Sequence, residues 1–210
     1  ISKGLTWEEI RSWNIGLDFS LLNNRLTGSF DYFIRKTLNM IGPADELPVI
    51  LGTSVPNTNN TDLQTKGFEL ELAWRDRAFN SLNYGIRFVL SDAQAQITRY
   101  SNPSGTLSKY YSGMKWGEIW GYQSIGIAQS DDQMLEHIAS LPNGGQNSLG
   151  SDWQAGDIMF KDVNNDGRID SGAYTIDDHG DLVVIGNTTP RFNYGIDLTA
   201  EWKGVDFRLF

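Results

Sequence analysis

The sequence predicts an all-β fold of long, antiparallel, amphipathic strands, arranged as hairpins of a transmembrane β-barrel with long external loops. Three observations carry that prediction. Apolar residues recur at every second position in five segments, several of these segments run to about nine residues or more, and long polar stretches lie between the hairpins.

In residues 13–22, Ile15, Leu17, Phe19 and Leu21 alternate with Asn14, Gly16, Asp18 and Ser20. A period of two is a strand. Asn23-Asn24 reads as a two-residue turn, because Asn tolerates positive φ. Leu26, Gly28, Phe30, Tyr32 and Ile34 then alternate with Thr27, Ser29, Asp31, Phe33 and Arg35, which gives a first hairpin over about 13–38. A second hairpin, over about 66–98, sets Phe68, Leu70, Leu72 and Trp74, then Leu82, Tyr84, Ile86, Phe88 and Leu90, against polar neighbours, and turns through residues 76–81. A third, over 190–210, alternates Phe192, Tyr194, Ile196, Leu198, Ala200 and Trp202 before Lys203-Gly204 turns into a last strand.

Across the five well-defined strands the apolar parity carries no charged residue, whereas the other parity carries acids and bases. One face is therefore dry and the other wet. A soluble sandwich alternates too, but its strands usually run about five to six residues. A tilted strand needs about nine or more to cross a bilayer, and these have that length. Trp13, Trp74 and Trp202 are expected at strand ends, where membrane barrels carry interfacial aromatics. On the wet face Asp18, Glu69, Glu71 and Asp197 would look into a lumen or into open solvent, and no chemistry is assigned to them.

Composition narrows the function classes. The 210 residues carry 17 Lys plus Arg against 26 Asp plus Glu, a net charge of -9, which disfavours nucleic acid as a partner. A hydrophobic content of 40% is too rich for a disordered chain. The absence of Cys removes disulfide scaffolds, thiolate metal sites and cysteine nucleophiles, and leaves oxidising and reducing compartments both open. No window holds the roughly 18 consecutive apolar residues of a membrane helix, and Ile1-Ser2-Lys3-Gly4 lacks a signal-peptide pattern. A mean hydropathy of -0.36 is compatible with a barrel, whose strands hide apolar content by alternation.

The long polar stretches are residues 42–65, 102–117 and 129–154, lengths usual on the outer side of a barrel. Within the last, residues 130–139 are expected to form one short helix for local packing. Ser130 and Gln133 have capping-box spacing there, ahead of Met134, Leu135 and Ile138.

The sharpest motif lies in the loop region 129–189. Asp162-Val163-Asn164-Asn165-Asp166-Gly167-Arg168-Ile169-Asp170 matches the first nine positions of a calcium loop, D-x-N-x-D-G-x-I-D. Asp162, Asn164, Asp166 and Asp170 would supply side-chain oxygens and Arg168 its carbonyl, a hard-oxygen set that suits structural Ca²⁺. The twelfth position is Ala173 where a bidentate acid is expected, so a later acid must fold back, with Asp177, Asp178 and Asp181 as candidates. Asx-turns alone would account for the same residues without a metal.

Several blocks together resemble a known family. Leu5-Thr6-Trp7-Glu8, Asn14-Ile15-Gly16-Leu17-Asp18-Phe19, Asn24-Arg25-Leu26-Thr27-Gly28, Lys66-Gly67-Phe68-Glu69-Leu70-Glu71-Leu72, Gly156-Asp157-Ile158 and Ile185-Gly186-Asn187 occur in an order similar to the SusC/RagA-type TonB-linked outer-membrane proteins. The resemblance covers nearly the whole chain. It implies the later part of a roughly 22-stranded barrel in the outer membrane of a Gram-negative bacterium. It also implies energy from TonB and import of glycans or peptides with a SusD-like surface lipoprotein. The family's plug is absent from these residues, as are its closing strands. By the family register Asp181 would take the missing metal-ligand position, with residues 171–180 as an insertion before it.

An enzyme is the weaker reading. Ser112-Gly113-Met114-Lys115 fits S-x-x-K without its partner motifs, His137 and His179 are isolated, and Asp131-Asp132 and Asp177-Asp178 read as loop acids. A soluble, calcium-stabilised β-sandwich that binds carbohydrate through Tyr110, Tyr111, Trp116 and Trp120 is the alternative to the barrel.

Overall fold

The computed structural model describes residues 5–43, 57–79 and 81–210. The expectations for Ile1-Ser2-Lys3-Gly4, for the middle of the 42–65 stretch and for Asn80 of the second turn lie outside the described residues. The elements run β1 (Glu9–Leu21), β2 (Leu26–Pro43), β3 (Asn57–Ala78), β4 (Leu82–Arg99), β5 (Glu118–Tyr122), β6 (Ser124–Ile127), α1 (Asp131–Ala139), β7 (Ile158–Phe160), β8 (Leu182–Asn187), β9 (Asn193–Trp202) and β10 (Val205–Leu209). They divide into a strand unit, Ile1–Tyr100 with Thr189–Phe210, and a loop unit, Ser101–Thr188.

Alternation becomes pairing in the strand unit. Its six strands form one open antiparallel sheet in the order β1-β2-β3-β4-β9-β10. The register keeps the apolar parity in line: Leu17 faces Phe30, Phe30 faces Leu70, Leu70 faces Leu90, and Leu90 faces Tyr194. A slip of one residue would move every apolar side chain of a strand to the wet face, so the pattern itself pins the register.

Two connections differ from the simplest reading. The first hairpin closes through four residues rather than two, with Leu22, Asn23 and Asn24 at φ 55, 55 and 66. Left-handed backbone suits Asn and strains Leu22. Lys203-Gly204 is the expected two-residue turn, with φ 48 and 84. β2 and β3 also run well into the stretch that reads as loop, reaching Pro43 and starting at Asn57. A β-bulge interrupts their pairing between Thr37 and Met40, and Asn39 there has φ 58. Side chains satisfy the groups the bulge leaves over. Arg99 donates to both Asp62 oxygens at 2.7 and 2.8 Å and to Asn39 Oδ1 at 2.9 Å, while the Asn39 N–H donates to Asp62 Oδ1 at 2.8 Å.

The loop unit has its own small core. β5 pairs with β8 and β6 with β7, two short ribbons, and α1 packs beside them. Ser130 caps α1 by accepting from the Gln133 N–H at 3.2 Å, as the spacing predicts. The return bond differs: Gln133 Oε1 accepts from the Gln129 N–H at 2.7 Å. Met134 buries against Ala128 and Met159, with Ile138 and Trp153 around them. Leu135, expected to pack with Met134, is exposed, because a nine-residue helix with one apolar stripe turns its neighbour outward.

Candidate functional site

Two features are candidates for function, a two-faced wall in the strand unit and an acidic turn in the loop unit. On the wall, the apolar face is uncovered. Leu17 is 62% and Ile196 is 52% exposed, although both sit in the middle of long strands. A soluble sandwich would bury that face under a second sheet.

Charged residues bound the apolar band at both ends. On β3 the same parity runs from Lys66 through Phe68, Leu70, Leu72 and Trp74 to Asp76, ten residue steps. At about 3.3 Å per residue and a tilt of about 40°, the charged ends lie about 25 Å apart in height, the scale of the apolar band of a membrane barrel. Aromatics cluster at the ends, with Trp74, Tyr84 and Trp202 toward the short turns, and Trp13, Tyr32, Phe68 and Tyr194 away from them. Trp74 lies four residues from the end of β3 and Trp202 closes β9. Trp13 is not at a strand end, contrary to expectation, because Glu9 to Ser12 continue β1 by pairing with Arg35 to Leu38. It still ends the apolar band, since Arg11 and Glu9 follow on its parity.

The wet face carries a row of alternating charge. Arg87 donates to both Glu71 oxygens at 2.8 and 2.7 Å, sits directly across from Asp197, and Asp197 is paired with Arg208. Side chains thus tie β3 to β4 and β9 to β10, with Arg87 and Asp197 facing each other between the two pairs. The pairs are half exposed, so each contributes little alone, about 0–1 kcal/mol.

In the loop unit the six sequence-predicted metal residues are linked in one turn through backbone N–H groups and the Arg168 guanidinium. Asp162 Oδ1 and Asn164 Oδ1 both accept from the Asp166 N–H, at 3.2 and 3.0 Å, and Asp162 Oδ2 accepts from the Gly167 N–H at 2.8 Å. Gly167 has φ 81, the reversal the motif requires. Ile169 is buried and anchors the outgoing arm. The Arg168 guanidinium lies between Asp166 and Asp170, at 3.2 and 2.9 Å. Burial opposes ionisation of Asp166, but the N–H and guanidinium of Arg168 and the Asn164 amide outweigh it and hold the carboxyl below its ordinary value.

Asp181 does fold back to the loop across residues 171–180. Its carboxylate is fully buried and accepts from the Val163 N–H at 2.7 Å and the Asp170 N–H at 2.9 Å. It therefore clips both ends of the motif together. Asp178 accepts from the Ala173 N–H within the intervening turn, and Asp177 is exposed. Among the described residues, no three acidic or histidine side chains converge as a ready-made cation cage.

Residues weighed as catalytic have structural partners. His137 Nε2 lies 3.2 Å from the buried Gln146 Oε1, and His179 packs on Trp120 with ring centroids 5.3 Å apart. Two organising residues escaped sequence reasoning. Gln146 donates to the Ile158 carbonyl and accepts from the Phe160 N–H, serving as a side-chain neighbour for β7. Glu118 accepts from the Trp120 indole at 3.0 Å, from the Lys115 N–H at 3.1 Å and from the Tyr111 hydroxyl. Burial, reinforced by the Glu118 carboxylate, pushes the Tyr111 phenol up to about 12. No local sequence signal marks either role.

Comparison with known proteins agrees with the wall. Residues 1–209 match the family model described as TonB dependent receptor-like, beta-barrel. TonB-dependent receptor P3 of Formosa agariphila is 26% identical over 98% of this chain and 20% of its own length. TonB-dependent receptor SusC of Bacteroides thetaiotaomicron is 25% identical over 98% of this chain and 19% of its own. The chain thus spans about a fifth of the length of these relatives. Structures of the RagAB peptide transporter, and of the RagAB importer in its open-open state, superpose with TM-scores of 0.60 and 0.63 at 19% identity, covering 97% of this chain. An uncovered apolar face, a register that keeps it continuous, and a family match from end to end place the chain in one family: it belongs to the TonB dependent receptor-like β-barrels.

Proposed function

We propose that this chain is a wall segment, with its external loops, of a TonB-dependent importer in the outer membrane of a Gram-negative bacterium. The apolar face meets lipid and the charged face lines the lumen. The role is transport and not catalysis. The parent receptor works with a SusD-like surface lipoprotein, draws energy from TonB and takes up oligosaccharides or peptides. The observation that carries this reading is the uncharged apolar face continuous over six strands, exposed on β1, β9 and β10 and partly exposed on the strands between. The same observation counts against a soluble binding module, which would have to leave that face in water.

The test is an immunoblot of fractionated source cells with boiled and unboiled membranes. The reading expects a heat-modifiable band in the outer membrane, several times the 23.5 kDa of this chain. A soluble band at that mass would overturn it.

The loop at Asp162 to Asp170 binds Ca²⁺ in the same proposal. Asp162, Asn164, Asp166, Asp170 and the Arg168 carbonyl supply the oxygens, and Asp181 holds the loop's ends together. The convergence of the Asp162 and Asn164 oxygens on one N–H supports it. Binding requires the Arg168 guanidinium to leave Asp166 and Asp170. Calorimetric titration of the chelator-treated receptor should therefore give heat, and Arg168→Ala should bind more tightly than wild type. No heat in either protein ends the idea.

A further inference from the structure

Resting on the reading of the sheet as a membrane wall, we propose that Arg11, Lys36 and Lys66 form a binding site for the phosphorylated headgroup of an outer-leaflet lipid.

Parity and register set the site. Arg11 on β1, Lys36 on β2 and Lys66 on β3 share the parity of Trp13, Ile34 and Phe68, so all three belong to the apolar face. They stand at the end of the sheet where β2 passes to β3 by a long connection and the chain leaves β4 for the loop unit, which is the external end of a barrel. Arg11 is directly across from Lys36. Lys66 is across from Ile34, in the row that also holds Trp13, one step of the same face below Lys36. Side chains directly across a strand pair start about 5 Å apart and diagonal ones about 7–8 Å. Three cations are therefore crowded at the rim of the apolar band, in a chain whose net charge is -9.

The acids at this end of the sheet are already engaged. Glu9 accepts from Arg11 Nε and Nη2 at 2.6 and 3.1 Å, Asp62 is paired with Arg99, Asp92 is paired with Arg191, and Glu8 accepts from the Ile41 N–H at 3.3 Å. Among the described residues, Lys36 and Lys66 are exposed and have no ion pair. Like charges directly across two strands destabilise the pairing. A single lysine at a membrane rim extends into water without further cost, but a cluster of cations is relieved by an anion placed among them. A phosphate fits that role. Two ammonium groups supply point charges, and Arg11 keeps Nη1 clear of Glu9 for a phosphate oxygen.

The surface below selects a lipid over a free anion. Trp13 and Tyr32 meet edge to face under the cations, with ring centroids 6.3 Å apart, and exposed Ile15 and Leu17 continue the face toward mid-height. An ion would use the cations alone. A phosphorylated lipid uses both parts, its headgroup against Arg11, Lys36 and Lys66 and its acyl chains along the apolar strands.

The experiment uses the full-length receptor carrying this chain, purified in detergent after its outer-membrane location and heat-modifiability are established. Native mass spectrometry reads the lipid retained after mixing with monophosphoryl lipid A and, in parallel, with the same lipid after enzymatic dephosphorylation. Wild type should retain the phosphorylated lipid about tenfold better or more, and Lys36→Gln combined with Lys66→Gln should abolish that preference. Arg11→Gln should weaken it by less, because Glu9 shares the guanidinium. Lys203→Gln, in the short turn at the opposite end, should leave it unchanged, and excess inorganic phosphate should displace little lipid. Variants are compared only where heat-modifiability matches wild type. Equal retention of the two lipids, an intact preference in the double variant, an equal loss in Lys203→Gln, or full displacement by inorganic phosphate would overturn the lipid site. A receptor absent from the outer membrane would instead overturn the wall reading on which it rests.

Discussion

In the strand unit, Ile15, Leu17 and Ile196 stand exposed on a face that crosses six strands, whereas in the loop unit Met134, Ile169 and Leu182 are buried in a small core of their own. The charges divide in the same way. The strand unit balances thirteen basic residues against fourteen acids, and the loop unit sets four against twelve. A segment that pairs its charges on one face and leaves the other face apolar is a wall between two media. The loop unit buries a small core and carries most of the chain's net charge, while Ile125, Ile127, Leu135 and Ile185 stay exposed around that core. The same hydrophobic effect shapes both, with lipid taking the place of a core in the first.

That contrast can be broken from either side. Met134→Ala removes the centre of the loop unit's core and should cost about 2–5 kcal/mol there. Hydrogen exchange should show lost protection in α1 and the β6–β7 ribbon while the sheet is unchanged. Leu70→Arg, at mid-height of the apolar band, should cost the receptor about 2–4 kcal/mol in lipid vesicles. Its counterpart on the wet face, Ser91→Arg, sits across from Glu69 and should stay within about 1 kcal/mol of wild type. Denaturant titration of the two variants side by side checks the asymmetry.

Finer effects sharpen it. Asp181→Asn leaves one of two buried backbone N–H groups poorly paired and should cost about 1–3 kcal/mol, read as faster exchange at Val163 and Asp170. Leu22→Gly relieves left-handed strain in the first turn and should stabilise by about 1 kcal/mol. The Tyr111 phenol, raised by burial and by Glu118, favours its protonated form in the fold. Its contribution to stability is complete below pH 10.0 and is lost as pH rises through about 12. The ultraviolet difference between wild type and Tyr111→Phe should show that late titration.

The wall was legible because lipid-facing strands must repeat with a period of two, and Leu17, Phe30, Leu70 and Leu90 fall into register as that period requires. The upper parts of β2 and β3 were not, because Asn57 to Gln64 carry almost no apolar residues and are held by the Arg99, Asp62 and Asn39 network, whose members are distant in sequence. The short ribbons were hidden for a related reason: three to six residues are too few to show a period. At the calcium-like motif the local turn was readable from Gly167 and the alternating oxygens. The place of Asp181 needed a family register, because a ten-residue turn separates it from the motif, and the clamps made by Gln146 and Glu118 depend on contacts that no spacing encodes.

The central claim is that successive residues of one strand face lipid and water in turn. The most direct measurement places single cysteines at each position from Phe68 to Trp74 in the full-length receptor, labels them with nitroxide, and compares accessibility to oxygen and to a charged nickel complex in lipid vesicles. The account predicts that Phe68, Leu70, Leu72 and Trp74 favour oxygen, while Glu69, Glu71 and Ala73 are the less lipid-exposed positions. Accessibility that fails to alternate, or alternates in the opposite phase, would contradict it.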